Sequence, residues 1–189
     1  MSEAVTALAG ATYEGAVTVA DGGLTGMVQL RADLADAAVA TAVKAATGAD
    51  LPDRRRISAA KEQRLLWMSP DELLILTDHG AAPDLVKRLS TELTGQHALV
   101  LDLSDARSRI RLSGQGVREV LAKGAPVDLA PGRFEPGEVR RTRIGQIAAA
   151  FWLLSETEAE VICFRSVAPF LFDWLSTAAR PGSLPGHFR

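Results

Sequence analysis

Arg107, Arg109 and Arg111 are the residues whose type and spacing point most directly to chemistry. Along an extended strand successive side chains leave opposite faces. The three guanidinium groups would therefore share one face, about 7 Å apart, while Ile110 and Leu112 share the other. Like charges at that spacing repel unless anions neutralise them. Asp102 and Asp105, just upstream, could do so in a surface network. An acidic protein partner or a small anionic ligand could do it equally well. The residues alone leave all three readings open, and Arg107, Arg109 and Arg111 stand as the candidate partner interface.

Other candidates are weaker. His79, His97 and His187 lie far apart, with no His/Cys/Asp cluster at ligand spacing, so no metal site is expected. Gly22-Gly23-Leu24-Thr25-Gly26 precedes a strand-like run instead of following one, and cannot present a helix N-terminus to a phosphate. No phosphate loop and no nucleophile elbow occurs. Cys163 stands among Val161, Ile162 and Phe164 and reads as a buried structural thiol. Asp71-Glu72 and Glu156, Glu158 and Glu160 fall at matching hairpin turns and read as solvated tips, not an acid/base pair. No catalytic, cofactor-binding or metal-binding residue is assigned.

The elements that would position these residues occur twice. Trp67-Met68-Ser69-Pro70-Asp71-Glu72-Leu73-Leu74 is echoed by Trp152-Leu153-Leu154-Ser155-Glu156-Thr157-Glu158-Ala159, and the helix starting near Pro83 by one starting near Pro169. A unit this long is no solenoid repeat, so two copies are expected to pack as halves of one domain. Leu34, Ala38, Val39, Ala42, Val43 and Ala46 recur at helical spacing up to a Gly48 stop. Leu85, Val86, Leu89 and Leu93 form a second stripe. Val117, Val120 and Leu121 form a short third helix, with Gly124 as its left-handed cap. Val167, Phe170, Leu171, Trp174, Leu175 and Ala178 form the last stripe, with Ser166 as N-cap. Strands joined by hairpins alternate with these helices, which predicts an α+β fold with a mixed or antiparallel sheet. The expected organisation is an arm over 1–22, mobile or bound to a partner, and a domain over 23–180 with halves 23–104 and 105–180. A tail covers 181–189.

A net charge of −2 argues against nucleic-acid binding. No apolar run reaches the ~20 residues of a membrane span, and the start lacks a signal-peptide layout. With Cys163 the sole cysteine, no internal disulfide can form. A cytoplasmic setting is expected.

Several segments resemble a known family. Leu101-Asp102-Leu103-Ser104-Asp105-Ala106-Arg107, Leu112-Ser113-Gly114 and Val120-Leu121-Ala122-Lys123-Gly124 look like the gamma subunit of heterotetrameric sarcosine oxidase. Leu66-Trp67-Met68-Ser69-Pro70-Asp71-Glu72 and the run from Phe164 to Leu175 match it in the same order, and the similarity covers roughly 24–180. The resemblance implies a fold like the folate-binding part of the glycine-cleavage aminomethyltransferase (T-protein), itself built from two related halves. It implies an accessory, non-catalytic chain without cofactor of its own, bound directly to the alpha subunit in a complex with beta and delta. FAD, FMN, NAD, tetrahydrofolate and zinc are then expected on the other subunits. The complex would oxidatively demethylate sarcosine to glycine. The rival expectation is a stand-alone folate-binding protein of the aminomethyltransferase kind, acting in one-carbon transfer or tRNA modification. No folate-orienting carboxylate is carried over.

Overall fold

A computed structural model describes residues 3–188. In chain order the first strands are β1 (Thr12–Tyr13), β2 (Thr18–Asp21) and β3 (Gly26–Arg31), followed by helix α1 (Ala37–Thr47). Next come β4 (Ile57–Ala60), β5 (Gln63–Ser69), β6 (Glu72–Thr77), α2 (Ala82–Glu92) and β7 (Leu99–Asp102). Then follow β8 (Arg107–Ser113), α3 (Val117–Ala122), β9 (Val139–Ile144), β10 (Ile147–Ser155), β11 (Glu158–Phe164) and α4 (Ala168–Ala178). All strand pairs are antiparallel, so the fold is α+β.

The chain divides into two compact units, Thr25–Asp105 and the combination of Met1–Leu24 with Ala106–Arg189. In Thr25–Asp105 a five-stranded sheet runs β4-β5-β6-β3-β7. Val28, Leu30, Leu65, Leu73 and Ile75 from that sheet pack with Val39 and Val43 of α1 and Leu85 and Leu89 of α2. α1 begins on Asp36, whose carboxylate accepts from the Ala38 N–H at 2.8 Å, and ends at Gly48 in the left-handed conformation. A non-glycine residue at Gly48 would strain the chain there.

In the other unit a six-stranded sheet runs β1-β2-β8-β11-β10-β9. Its helix-covered face supplies Val19, Ile110, Leu112, Phe151, Leu153 and Val161, against Val120 and Leu121 of α3 and Leu171 and Leu175 of α4.

The duplication is exact in register over its second half. α2 and α4 start 168 − 82 = 86 residues apart, and each carries Pro in its first turn. The 3-10 turns before them, His79–Ala81 and Arg165–Val167, keep the same spacing. Both hairpins carry a bulge at one place: Ser69 pairs with Glu72, and Ser155 with Glu158. That register makes Trp67 the counterpart of Leu153. Trp67 and Trp152, matched by sequence, are one residue out of step and leave opposite faces of their strands.

Five expectations are corrected. Residues 3–22 are no arm, because β2 pairs along β8 from Thr18 opposite Ser113 to Asp21 opposite Ile110. The apolar side chains of Leu8, Val17 and Val19 are buried there. The described part of the tail folds back as well. Buried Glu119 accepts from the N–H groups of Gly186 at 2.9 Å and Phe188 at 3.2 Å, while Leu184 and Phe188 pack on the core. Two local assignments on the last helix change. α4 starts at Ala168 with no cap from Ser166, and Phe170 lies out in solvent instead of in the stripe.

Gly124 is not a left-handed cap, since its φ is not positive. Its small size is required by packing, because a Cβ there would lie inside van der Waals distance of the Trp174 indole. Gly124→Ala is expected to cost about 1–3 kcal/mol by overpacking, and Trp174→Ala about 3 kcal/mol by leaving a cavity. The double variant should cost clearly less than the sum of the two, as residues in contact do. Additive losses in urea melts would show that the two side chains do not meet.

Candidate functional site

The pleat of β8 places Arg107, Arg109 and Arg111 on one face and buries Ser108, Ile110 and Leu112 on the other. Pairing with β11 sets what the arginines meet. Arg107 lies opposite Phe164, Arg109 opposite Ile162 and Arg111 opposite Glu160. Arg109 reaches diagonally to Glu160 and donates to it at 2.8 Å, and its other terminal nitrogen donates to the Gly22 carbonyl. Its side chain is only 18% exposed. The second Glu160 oxygen accepts from the Trp152 indole N–H at 3.0 Å. Arg107 stacks its guanidinium over the Phe164 ring at 5.5 Å, a cation–π contact. Arg111 is 52% exposed and stands 4.0 Å from Glu158.

The face is thus graded. Arg109 belongs to a buried ion pair, Arg107 is half-buried against an aromatic ring, and Arg111 alone among the three is an exposed cation. The neutralising carboxylates are Glu160 and Glu158 on the neighbouring strand. Asp102 instead accepts from the N–H of Ser104 at 2.9 Å and from its hydroxyl. Sequence reasoning missed this because Glu160 is 51 residues from Arg109. The alternation of Glu158 and Glu160, in step with the arginines, was the signal present.

The carboxylates assigned to solvated hairpin tips are also redistributed. Glu160 is buried, and so is Glu72, which accepts from Gln29 at 2.7 Å and from Arg31 at 2.9 Å. Asp71, Glu156 and Glu158 remain at the surface. Glu156 holds Arg118, which is itself buried and donates to the carbonyls of Leu129 at 2.9 Å and Phe134 at 2.6 Å. Each of these charges has bonds that hold two segments together, an arrangement suited to shaping a surface rather than moving a proton.

Cys163 lies on the helix-covered face of β11. Burial pushes its thiol up from 9.0 to about 11, against a smaller opposite pull from the Arg107 charge. Among the described residues no group of three His, Cys, Asp or Glu side chains gathers in a way that could hold a metal ion.

Two antiparallel sheets, each with helices packed on one face and built on one repeated plan, define a T-protein-like α+β class. A chain of glycine cleavage system aminomethyltransferase T from Bartonella henselae shares this fold with a TM-score of 0.63 and 17% identity, over 85% of this chain and 45% of that one. The profile of the sarcosine oxidase, gamma subunit family matches residues 31–180. The chain belongs to that family. The sarcosine oxidase subunit gamma of an Arthrobacter species is 33% identical over 79% of this chain and 73% of its own length. That of Corynebacterium sp. strain U-96 is 31% identical over 87% and 80%. A chain of heterotetrameric sarcosine oxidase from Corynebacterium sp. U-96, in complex with pyrrole 2-carboxylate, superposes with a TM-score of 0.80. It is 28% identical and covers 89% of this chain and 87% of that one.

Two outcomes follow from the geometry. Arg109→Glu, which sets a second carboxylate against buried Glu160, should lower stability by roughly 3–5 kcal/mol, whereas Arg111→Glu should change it by less than about 1 kcal/mol. Equal urea midpoints for the two variants would refute the buried pair. The Cys163 thiol should resist iodoacetamide in the folded chain at pH 8 and react once the chain is unfolded in urea. Its folded form keeps the proton until about pH 11 while the unfolded form loses it near 9.0, so this residue's contribution to stability falls as pH rises through that window. Rapid alkylation of the native chain would contradict the burial.

Proposed function

We propose that the chain is an accessory, non-catalytic subunit of a heterotetrameric sarcosine oxidase, the complex that oxidatively demethylates sarcosine to glycine in sarcosine catabolism. The observation that carries this reading is where the charged side chains go. Glu160, Glu72, Glu119 and Arg118 are buried, and the bonds they make hold strands, loops and the tail together. Catalytic acids and bases need a proton path to a substrate, and these groups face backbone and fixed side chains instead. Cys163, with its thiol held protonated, is no nucleophile near neutral pH.

The likeness to gamma subunits over most of both chains supports the same role. In it the chain binds the large alpha subunit directly, and beta and delta complete the complex in the cytoplasm. FAD, FMN, NAD, tetrahydrofolate and zinc are held by those other subunits. The stand-alone aminomethyltransferase reading has less to support it, because the T-protein likeness at 17% identity is one of fold alone.

The test is expression of this chain with and without the other subunits of its complex. Alone it should be colourless, with no flavin absorbance near 450 nm and no peroxide formed from sarcosine. Together with the others it should co-purify at a fixed ratio. A stoichiometric flavin on the isolated chain, or sarcosine turnover by it, would overturn the accessory reading.

A further inference from the structure

The two units finish their sheets differently at equivalent places. Gly26 of β3 pairs with Thr77 as Ser108 of β8 pairs with Cys163, which makes β2 the counterpart of β7. Asp21 pairs with Ile110 as Asp102 pairs with Val28, and Thr18 pairs with Ser113 as Leu99 pairs with Arg31. Outside β2 lies one more strand. β1 sets Thr12 opposite Ala20 and Tyr13 opposite Val19, and the Asp21 N–H donates to the Ala11 carbonyl at 2.8 Å. The Asp21 carboxylate then accepts from the Gly10 N–H at 2.9 Å and from the Thr6 hydroxyl. β7, by contrast, closes its sheet, and no strand among the described residues lies outside it.

The outer edge of β7 is built to pair. The Leu103 N–H donates to the Met27 carbonyl at 2.7 Å, so antiparallel alternation turns the backbone of Leu99 and Leu101 toward β3. The N–H and C=O groups of Val100 and Asp102 then face outward, as those of Val19 and Asp21 do toward β1. Two of the other sheet edges carry devices that discourage pairing: β9 has Arg140, Arg141 and Arg143, and β1 is two residues long. β7 instead displays Leu99, 48% exposed, and Leu101, 42% exposed. Beside Leu99 opens a cavity of about 580 Å³, lined also by Arg31, Asp33, Pro70, Asp71 and His97. Two carboxylates, Asp33 and Asp71, line this cavity beside the Arg31 guanidinium, which is bonded to Asp71 and to buried Glu72.

We propose that the outer edge of β7 takes an extended segment of a partner subunit, which joins the sheet in the place that β1 fills in the other unit. Main-chain pairing with Val100 and Asp102 supplies the register, as in recognition by strand addition. Apolar side chains of the segment cover Leu99 and Leu101, and a Lys or Arg at one end enters the carboxylate-lined cavity. The inference rests on the reading of this chain as a subunit of a complex.

Backbone hydrogen exchange tests it, with the full chain measured alone and inside the complex purified with its other subunits. Amides of Val100 and Asp102 should exchange at least tenfold more slowly in the complex, while those of the β9 edge stay unchanged. Val100→Pro deletes an outward N–H and no bond to β3, and edge strands accept proline there. Because the Val100 side chain packs in part against the core, the substitution should lower the Tm slightly while leaving the fold intact, and lower the affinity for the other subunits at least tenfold. Leu99→Glu/Leu101→Glu, which leaves the backbone untouched, should show the same loss. A complex that forms normally with β7 exchange unaltered overturns the docking edge and leaves the subunit reading standing. No complex with the wild-type chain overturns both. Protection of β7 in the isolated chain, rising with concentration alongside a dimeric mass, would make the occupant a second copy and also refute the proposal.

Discussion

Arg109 holds Glu160 at 2.8 Å and the Gly22 carbonyl, and Glu160 in turn holds the Trp152 indole. A buried carboxylate costs several kcal/mol in lost hydration and is tolerated only when its oxygens find donors and its charge finds a partner. Both Glu160 oxygens have donors here. Because Gly22 lies just past β2, Trp152 on β10 and Glu160 on β11, this one set of bonds gathers three segments around β8. The unit therefore depends on residues from both ends of the sequence, and the segment before β3 becomes part of its sheet.

Around that constraint the two units share one construction. Each has an antiparallel hairpin with a bulge before its turn, then a 3-10 turn, then a helix with Pro in its first turn, all at a constant offset. The bulge moves one strand by a residue, and side chains past it change faces. Past the same bulge the two units diverge: Glu72 is buried beside Gln29 and Arg31, whereas its counterpart Glu158 stays half-exposed beside Arg111. The units differ in how their buried charges are wired and in what borders the strand beside β3 or β8. One border is filled by β1; the other shows two leucines to solvent. Differences of that kind, not the shared plan, give such a fold its individual role.

A fold like that of an aminomethyltransferase need not carry its chemistry. In this chain the buried acidic and basic groups are joined to backbone carbonyls, backbone amides and each other, which stiffens loops such as the one after α3 through Arg118. Such bonds define a fixed surface.

Local signals in the sequence determined much of this. Gly48 ends α1 because glycine alone enters the left-handed region without strain, and the apolar spacing of Leu85 and Leu89 marks α2. Ser69-Pro70-Asp71-Glu72 marks a hairpin, alternation marks β8, and the family segments mark the relationship. What only the tertiary structure decided are pairings across long stretches of chain. Thr18 meets Ser113, Arg109 meets Glu160, and Glu119 meets Gly186, none of them neighbours in sequence. Periodicity tells which side chains share a face, but the partner across that face depends on strand order, and strand order is settled by the packing of the whole unit. Gly124 shows the same division. Its identity suggested a backbone need, and its reason was the Trp174 indole lying 50 residues further on, in the space a side chain would fill.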